Sequence, residues 1–399
     1  MDEIKDYFLE HIDNNICNGA EWKIISKNNI YHNSVGFRDL NKSQPFGKNL
    51  LYRVWSMTKP VVSLATMQLV EKNYLSLHDT IDRYLPQFRE VKILNKNASN
   101  ISETYISNNI PTISQLLKHT AGFTYNSSDN LIGQEYEKKK IFLPGDTSLE
   151  EEIDKIAQLP LLFEPGLHWH YSVSVDILAR ILEVITKDKL INILKENIFN
   201  PLDMHSTNFF IEEDQNKDLV ETLEFSKKNN KIQNLSFDTR KLINYFYPLN
   251  NQEYSRGGHG LFSTADDYSK FAHMLINGKN TSGKQLISFE TLNNMRSNQI
   301  DTGLFPLEIT SVNTIKDNNY INDLNGYGWG LGFRVLMNNT ENNRYGQIGE
   351  FGWSGYASTY FLVDHKNHIS AVLMMQIIDS DRVLKQNFYD CIFKNLDKI

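Results

Sequence analysis

The run Arg53-Val54-Trp55-Ser56-Met57-Thr58-Lys59-Pro60 opens an apolar stretch through Val61, Val62, Leu64, Ala65, Met67, Leu69 and Val70, interrupted only by Ser63, Thr66 and Gln68. A proline near its start fits the first turn of a helix, where backbone NH groups have no intrahelical acceptor and a missing NH costs little. A helix apolar nearly all round belongs in the middle of a large core. Ser56 and Lys59, three apart, then share one face at the start of that helix, near enough for a neutral, desolvated amine to take the hydroxyl proton. The spacing alone is weak evidence. Ser-x-x-Lys arises by chance about once or twice in a chain of this length, and a solvated helix lysine fits it equally.

The rest of the composition narrows the setting. With 399 residues, 40% hydrophobic and 12% aromatic, the chain can bury one large core or two lobes sharing a cleft. Its net charge is -7 and its longest basic run is Lys138-Lys139-Lys140, so the electrostatic footprint of nucleic-acid binding is missing and a small-molecule partner is expected. Cys17 and Cys391 stand at opposite ends without a CxxC pattern. The acidic start, with Ile4, Phe8, Ile12 and Ile16 at helical spacing, reads as a mature helix, and a cytoplasmic location is expected. No run approaches the roughly eighteen apolar residues of a membrane span. His119, His168, His170 and His259 have no HExxH-like spacing and read as polar or core residues, so neither a metal nor a cofactor is expected.

Strands are expected over 21–26 and 30–36, joined by the turn cluster Lys27-Asn28-Asn29. Helical signals then dominate. Thr112 caps a helix over 113–119, ended by Gly122, and Ser148 with Glu151 forms a capping box before Ile153, Ile156 and Leu159. Tyr171 falls in a turn before an amphipathic helix carrying Ile177, Leu178, Ile181, Leu182 and Ile185. Residues 212–255 lose apolar periodicity and read as a long connection or lid rather than core. Gly257-Gly258-His259-Gly260 leads to Ser263-Thr264-Ala265-Asp266-Asp267, a helix cap whose carboxylates meet the positive end of the dipole. The last hundred residues alternate turns with strands over 328–335, 356–363 and 369–376, and a helix from about Asp381 closes the chain. The chain thus reads as strands at both ends with helices in the middle.

Taken in order, Ser56-Met57-Thr58-Lys59, Leu117-Lys118-His119-Thr120-Ala121-Gly122, Trp169-His170-Tyr171-Ser172, Gly257-Gly258-His259-Gly260-Leu261, Ser263-Thr264-Ala265-Asp266-Asp267 and Phe351-Gly352-Trp353-Ser354-Gly355 resemble the serine β-lactamase-like superfamily. Within it the chain is most similar to class C β-lactamases and family VIII carboxylesterases, over most of residues 21–378. The resemblance implies an α/β (α+β), β-lactamase/transpeptidase-like fold in which an antiparallel sheet is flanked by helices: an α/β lobe from 1–85 and 257–399, and an inserted, mostly helical lobe over 86–256 that includes the lid-like connection. It implies a site at the lobe junction, with Ser56 as nucleophile, Lys59 as base and Tyr171 as proton shuttle. The backbone NH groups of Ser56 and Tyr356 would form the oxyanion hole. Trp353, Ser354, Gly355 and Val173 would contact substrate.

Two positions depart from the superfamily pattern. Val173 stands where the second motif usually has Asn, and Trp353 where the third often begins with Lys or His. Each removes a polar handle used on β-lactam and peptidoglycan substrates, which tilts the expectation towards a carboxylesterase acting on small esters. Arg334 and Arg256 are the cations that could replace the missing one. The alternatives are a β-lactamase or D-amino-acid peptidase on the same site, and a catalytically idle binding or assembly protein. Retention of Ser56, Lys59 and Tyr171 together favours an enzyme. Oligomeric state is not legible.

Overall fold

The computed structural model describes residues 2–126, 128–142, 147–253, 255–309, 324–341, 343–380, 383–396 and 399. Strands from both chain ends form one antiparallel seven-stranded sheet, in the order Ile30–Gly36, Gly19–Ile25, Ile369–Met374, Tyr360–Asp364, Phe351–Ser354, Arg334–Leu336 and Tyr327–Trp329. Its two faces follow from the two-residue period of a strand. Phe361, Val363, Val372 and Met374 enter the large core around the Thr58–Glu71 helix. Their neighbours Tyr360, Leu362, Ala371 and Leu373 enter a second core, under the terminal helices Asp2–Asp13 and Val383–Lys394.

The Thr58–Glu71 helix is buried from Thr58 to Leu69, as a helix without a polar face must be. On its far side pack Ile113–Leu117, Leu149–Ala157, Ser174–Thr186 and Leu190–Leu194. Thr112 with Gln115, and Ser148 with Glu151, both form the reciprocal capping box. Thr264 caps Ala265–Met274 by accepting the Asp267 amide. Asp266 pairs there with Lys23 and Lys270, while Asp267 accepts from the Ser206 amide and the Thr207 hydroxyl.

Three expectations need correction. The stretch 328–335 is two strands, split at Gly332 (φ +102°), where an added Cβ would stand 2.4 Å from Ser63 Cβ; the chain turns there because it lies on the buried helix. Tyr356 is not in a strand: Tyr360–Asp364 begins later, and Gly355 N donates to Thr359 O at 2.8 Å across the intervening turn. Residues 212–255 contribute to the core. Leu223–Ser226 pairs in parallel with Ile377–Ile378 and antiparallel with Lys231–Asn234. Phe237–Phe246 is a helix, and Leu223 and Tyr247 are fully enclosed. Short strands separated by Lys227-Lys228-Asn229-Asn230 carry too few apolar residues to announce themselves.

Candidate active site

The site begins with backbone geometry. Trp55 holds φ +49°, a conformation a bulky L-residue avoids at a cost of roughly 1–2 kcal/mol. Neighbouring contacts over-determine it: Val54 N donates to Leu261 O (3.0 Å), Trp55 N donates to Tyr247 Oη (3.3 Å), and the indole meets the rings of Tyr247 and Tyr356 edge-on at 5.0 and 5.3 Å. The turn presents Ser56 in a one-turn 3-10 helix, Trp55–Met57, ahead of Thr58–Glu71. Ser56 is partly exposed between buried neighbours.

Lys59 is 1% exposed, and its Nζ donates to Ser56 Oγ at 3.2 Å and to Gly258 O at 2.7 Å. Burial pushes its ammonium down to about 7, against the pull of Asp176, so a neutral amine is accessible near neutrality. Tyr171 hydrogen-bonds with Ser56, and its oxygen accepts from Trp353 Nε1 at 3.1 Å. Burial raises its phenol, and both hydrogen bonds oppose that rise. Lys59 Nζ lies 4.6 Å from the Tyr171 ring centre and 5.2 Å from that of Tyr125. Tyr171, far from the Ser56–Lys59 pair in sequence, is therefore in contact with both.

Gly355 carries the third motif to this point. A Cβ on it would stand 2.1 Å from Thr359 Oγ1 and 2.5 Å from Val54 O, so only glycine lets the strand end reach the turn before Ser56. Tyr356 follows beside Trp55, half exposed, and Ser354 is partly exposed at the strand end. Trp353 is buried, edge-on to Trp329 at 4.5 Å, with its only NH spent on Tyr171. Val173 is fully enclosed in the large core just before the Ser174–Thr186 helix.

Four neighbours escaped the sequence reading in this role. Asp176, fully buried, accepts from Gly258 N at 2.9 Å. Tyr125 packs 5.6 Å from Tyr171, and Trp329 donates to Leu117 O at 3.1 Å. His119 (φ +57°) packs 4.8 Å from Tyr171, and its Nδ1 accepts from Ser172 N at 3.3 Å. Burial and Lys59 push the His119 imidazole well below its ordinary value, so it stays neutral. The glycine run was legible as a turn, but the Lys59 acceptor is a backbone carbonyl, which no residue type reveals. Arg256 is enclosed against Glu152 (3.6 Å), and Arg334 donates to Tyr360 Oη (2.5 Å) on the other face of the sheet. Neither cation faces Ser56. Surface cavities of about 380 and 370 Å³ lie beside Tyr7 and Asp390 and beside Ser206 and Asp266, and neither is lined by Ser56, Lys59 or Tyr171.

An antiparallel sheet between helical layers, with a Ser-Lys-Tyr cluster against its Phe351–Ser354 strand, is the arrangement of a β-lactamase/transpeptidase-like protein. The family model described as Beta-lactamase matches residues 10–388, and the chain belongs to that family of β-lactamase-fold serine hydrolases, which has esterase and acyltransferase members among its relatives. It is 26% identical to Protein Rv1367c of Mycobacterium tuberculosis over 374 residues, 92% of this chain and 88% of that one. It is 31% identical to Esterase EstB of Burkholderia gladioli over 183 residues, 45% and 44% of the two chains. The structure of EstCE1, described as a hydrolase with promiscuous acyltransferase activity, superposes with a TM-score of 0.78 at 22% identity, covering 98% of this chain and 97% of that one. No helix among the described residues is long and apolar enough to cross a membrane.

Proposed function

We propose that the chain is a carboxylesterase acting on small esters through an acyl-enzyme on Ser56. The observation that carries this is the buried Lys59 amine, 3.2 Å from Ser56 Oγ and held near neutrality in its titration. As Ser56 Oγ attacks the ester carbonyl carbon, its proton passes to neutral Lys59. The oxyanion forms against the amides of Ser56 and Tyr356. Collapse expels the alcohol oxygen, which takes a proton through Tyr171. Water, deprotonated by the same groups, then attacks the ester on Ser56, and the acid leaves as Ser56 recovers its proton.

Esters are favoured over β-lactams because the third motif begins with an indole where a Lys or His cation would meet a substrate carboxylate. Trp353 NH is committed to Tyr171, Val173 is enclosed, and Arg334 and Arg256 are occupied elsewhere. A substrate carboxylate would lose a charge-assisted hydrogen bond, about 1.5–3 kcal/mol, or roughly tenfold to a hundredfold in rate constant. The test compares kcat/KM for a p-nitrophenyl short-chain ester and a chromogenic cephalosporin on one preparation, with mass mapping of a fluorophosphonate adduct. The ester should be faster and the adduct should sit on Ser56. Faster cephalosporin turnover would overturn the ester reading, and a label on another serine the nucleophile.

A further inference from the structure

We propose that Asp176 is a positioning residue for Lys59: through Gly258 it fixes where the amine sits against Ser56, and its charge sets how readily that amine holds a proton. The inference rests on the Ser56–Lys59 reading and adds a component to it.

The geometry is a short chain of contacts. Asp176 Oδ1 accepts from Gly258 N at 2.9 Å, and Gly258 O accepts from Lys59 Nζ at 2.7 Å. One residue without a side chain thus joins a buried carboxylate to a buried amine. It has to be glycine. An added Cβ on Gly258 would stand 2.4 Å from Asp176 Oδ2 and 3.0 Å from Tyr125 Oη, and one on Gly257 would stand 2.2 Å from Val175 O. Asp176 lies in the first turn of the Ser174–Thr186 helix, whose packing against Thr58–Glu71 ties the two anchors together.

Asp176 itself is fully enclosed, and among the described residues its Oδ2 receives no hydrogen bond. A buried carboxylate with half its acceptors unused is costly, by about 1–3 kcal/mol for an unsatisfied polar atom. Helix capping does not account for it, because Asp176 bonds to a distant loop rather than to its own helix. What the placement does provide is a carboxylate whose charge opposes the desolvation of the Lys59 amine, while the amine in turn opposes the rise that burial imposes on the Asp176 carboxyl. The other titratable groups facing Lys59 are Tyr171, Tyr125 and His119. Those acting on Asp176 also include Arg256, Glu152, Tyr136, Tyr125 and Tyr171. The phenols and His119 are neutral at neutral pH, so near Lys59 the opposing charge comes from Asp176, with the Arg256–Glu152 pair behind it.

The test is the pH profile of kcat/KM for a p-nitrophenyl ester in Asp176→Asn, Asp176→Ser and Asp176→Glu. Asn keeps an acceptor for Gly258 N and removes the charge, so the acidic limb should move down by about one pH unit while the plateau falls less than tenfold. Glu keeps the charge but displaces the acceptor, so its limb should stay near wild type while kcat falls at least tenfold with little change in KM. Ser, smaller and neutral, should follow Asn in its limb and supplies that measurement should Asn not fold. A limb unmoved in both neutral variants, or moved equally in Glu, would overturn the proposal. Lys59→Met run alongside separates the two readings: activity retained there sinks Lys59 as base, whereas a dead Lys59→Met with an unmoved Asp176→Asn limb sinks Asp176 alone.

Discussion

The seven-stranded sheet carries a buried ionisable cluster on each face, and the two are built from the same residue types to opposite ends. On one face Lys59 and Asp176 sit among Tyr171 and Tyr125. On the other, Arg334 and Glu350 sit among Tyr327, Tyr360 and Tyr389, with Tyr327 Oη and Tyr389 Oη donating to Glu350 Oε1 at 3.0 and 3.2 Å. The cation makes the difference. A lysine amine can surrender its proton when desolvated, whereas a guanidinium keeps its own under any condition the fold survives. The neighbours differ as well: Lys59 meets a partly exposed serine hydroxyl, while Arg334 meets Tyr360 Oη beneath the terminal helix. Burial of charge alone therefore does not mark a catalytic site. The proposed function rests instead on a titratable cation within reach of a serine hydroxyl.

The largest expected effect comes from erasing that difference. Lys59→Arg keeps the charge and cannot accept a proton, so kcat/KM should fall about a thousandfold or more with the fold retained. The wild-type rate should also rise with pH through about 7, since burial lowers the Lys59 pKa and only the amine is active. Near wild-type turnover in Lys59→Arg, or a rate flat from pH 6 to 9, would make Lys59 a structural cation like Arg334.

A smaller effect, on stability rather than rate, is expected across the sheet. Burial pushes the Glu350 carboxyl up to about 7 although Arg334 pulls it down. The folded protein then binds more protons than the unfolded chain between about pH 4.5 and 7, so this group's contribution to stability falls as pH rises through that window. Arg334→Met removes the opposing cation and strands Tyr360 Oη, which should cost about 3 kcal/mol at pH 8 and less at pH 6. Urea unfolding at both pH values measures it, with kcat/KM within threefold of wild type. An equal loss at both pH values would show that Arg334 acts by packing and not by charge.

The two clusters were not equally legible. The site could be approached from sequence because its parts are local signals: Ser56 and Lys59 share a helical turn, Tyr171 precedes a capped helix, and glycines mark the third motif. Asp176 and Gly258 were hidden, since an acid in an amphipathic helix and a carbonyl in a loop look like any other. The Arg334–Glu350 cluster gave no warning, being assembled by strand register and by the docking of the terminal helix. For the same reason the sheet was foreseen as antiparallel strands from both ends but not in its order. The 212–255 stretch was misread because Tyr247, enclosed beside Trp55, is one aromatic among many polar residues.

The smallest effect concerns Trp353, which stands in the sheet between the clusters. Phe351 and Trp353 face the site, and Gly352, paired with Arg334 across the register, faces away. The sequence reading gave Trp353 a direct role towards substrate, but its NH points to the Tyr171 oxygen at 3.1 Å. That bond strengthens as Tyr171 gives up its proton, so it should assist the phenol in shuttling protons. Trp353→Phe keeps an aromatic face and deletes the donor. A neutral hydrogen bond is worth about 0.5–1.5 kcal/mol net, so kcat should fall roughly threefold to tenfold and any basic limb assigned to Tyr171 should move to higher pH. KM for a short-chain ester should change little, because the NH is not available to substrate. A rise in KM with kcat unchanged would return Trp353 to a substrate-binding role.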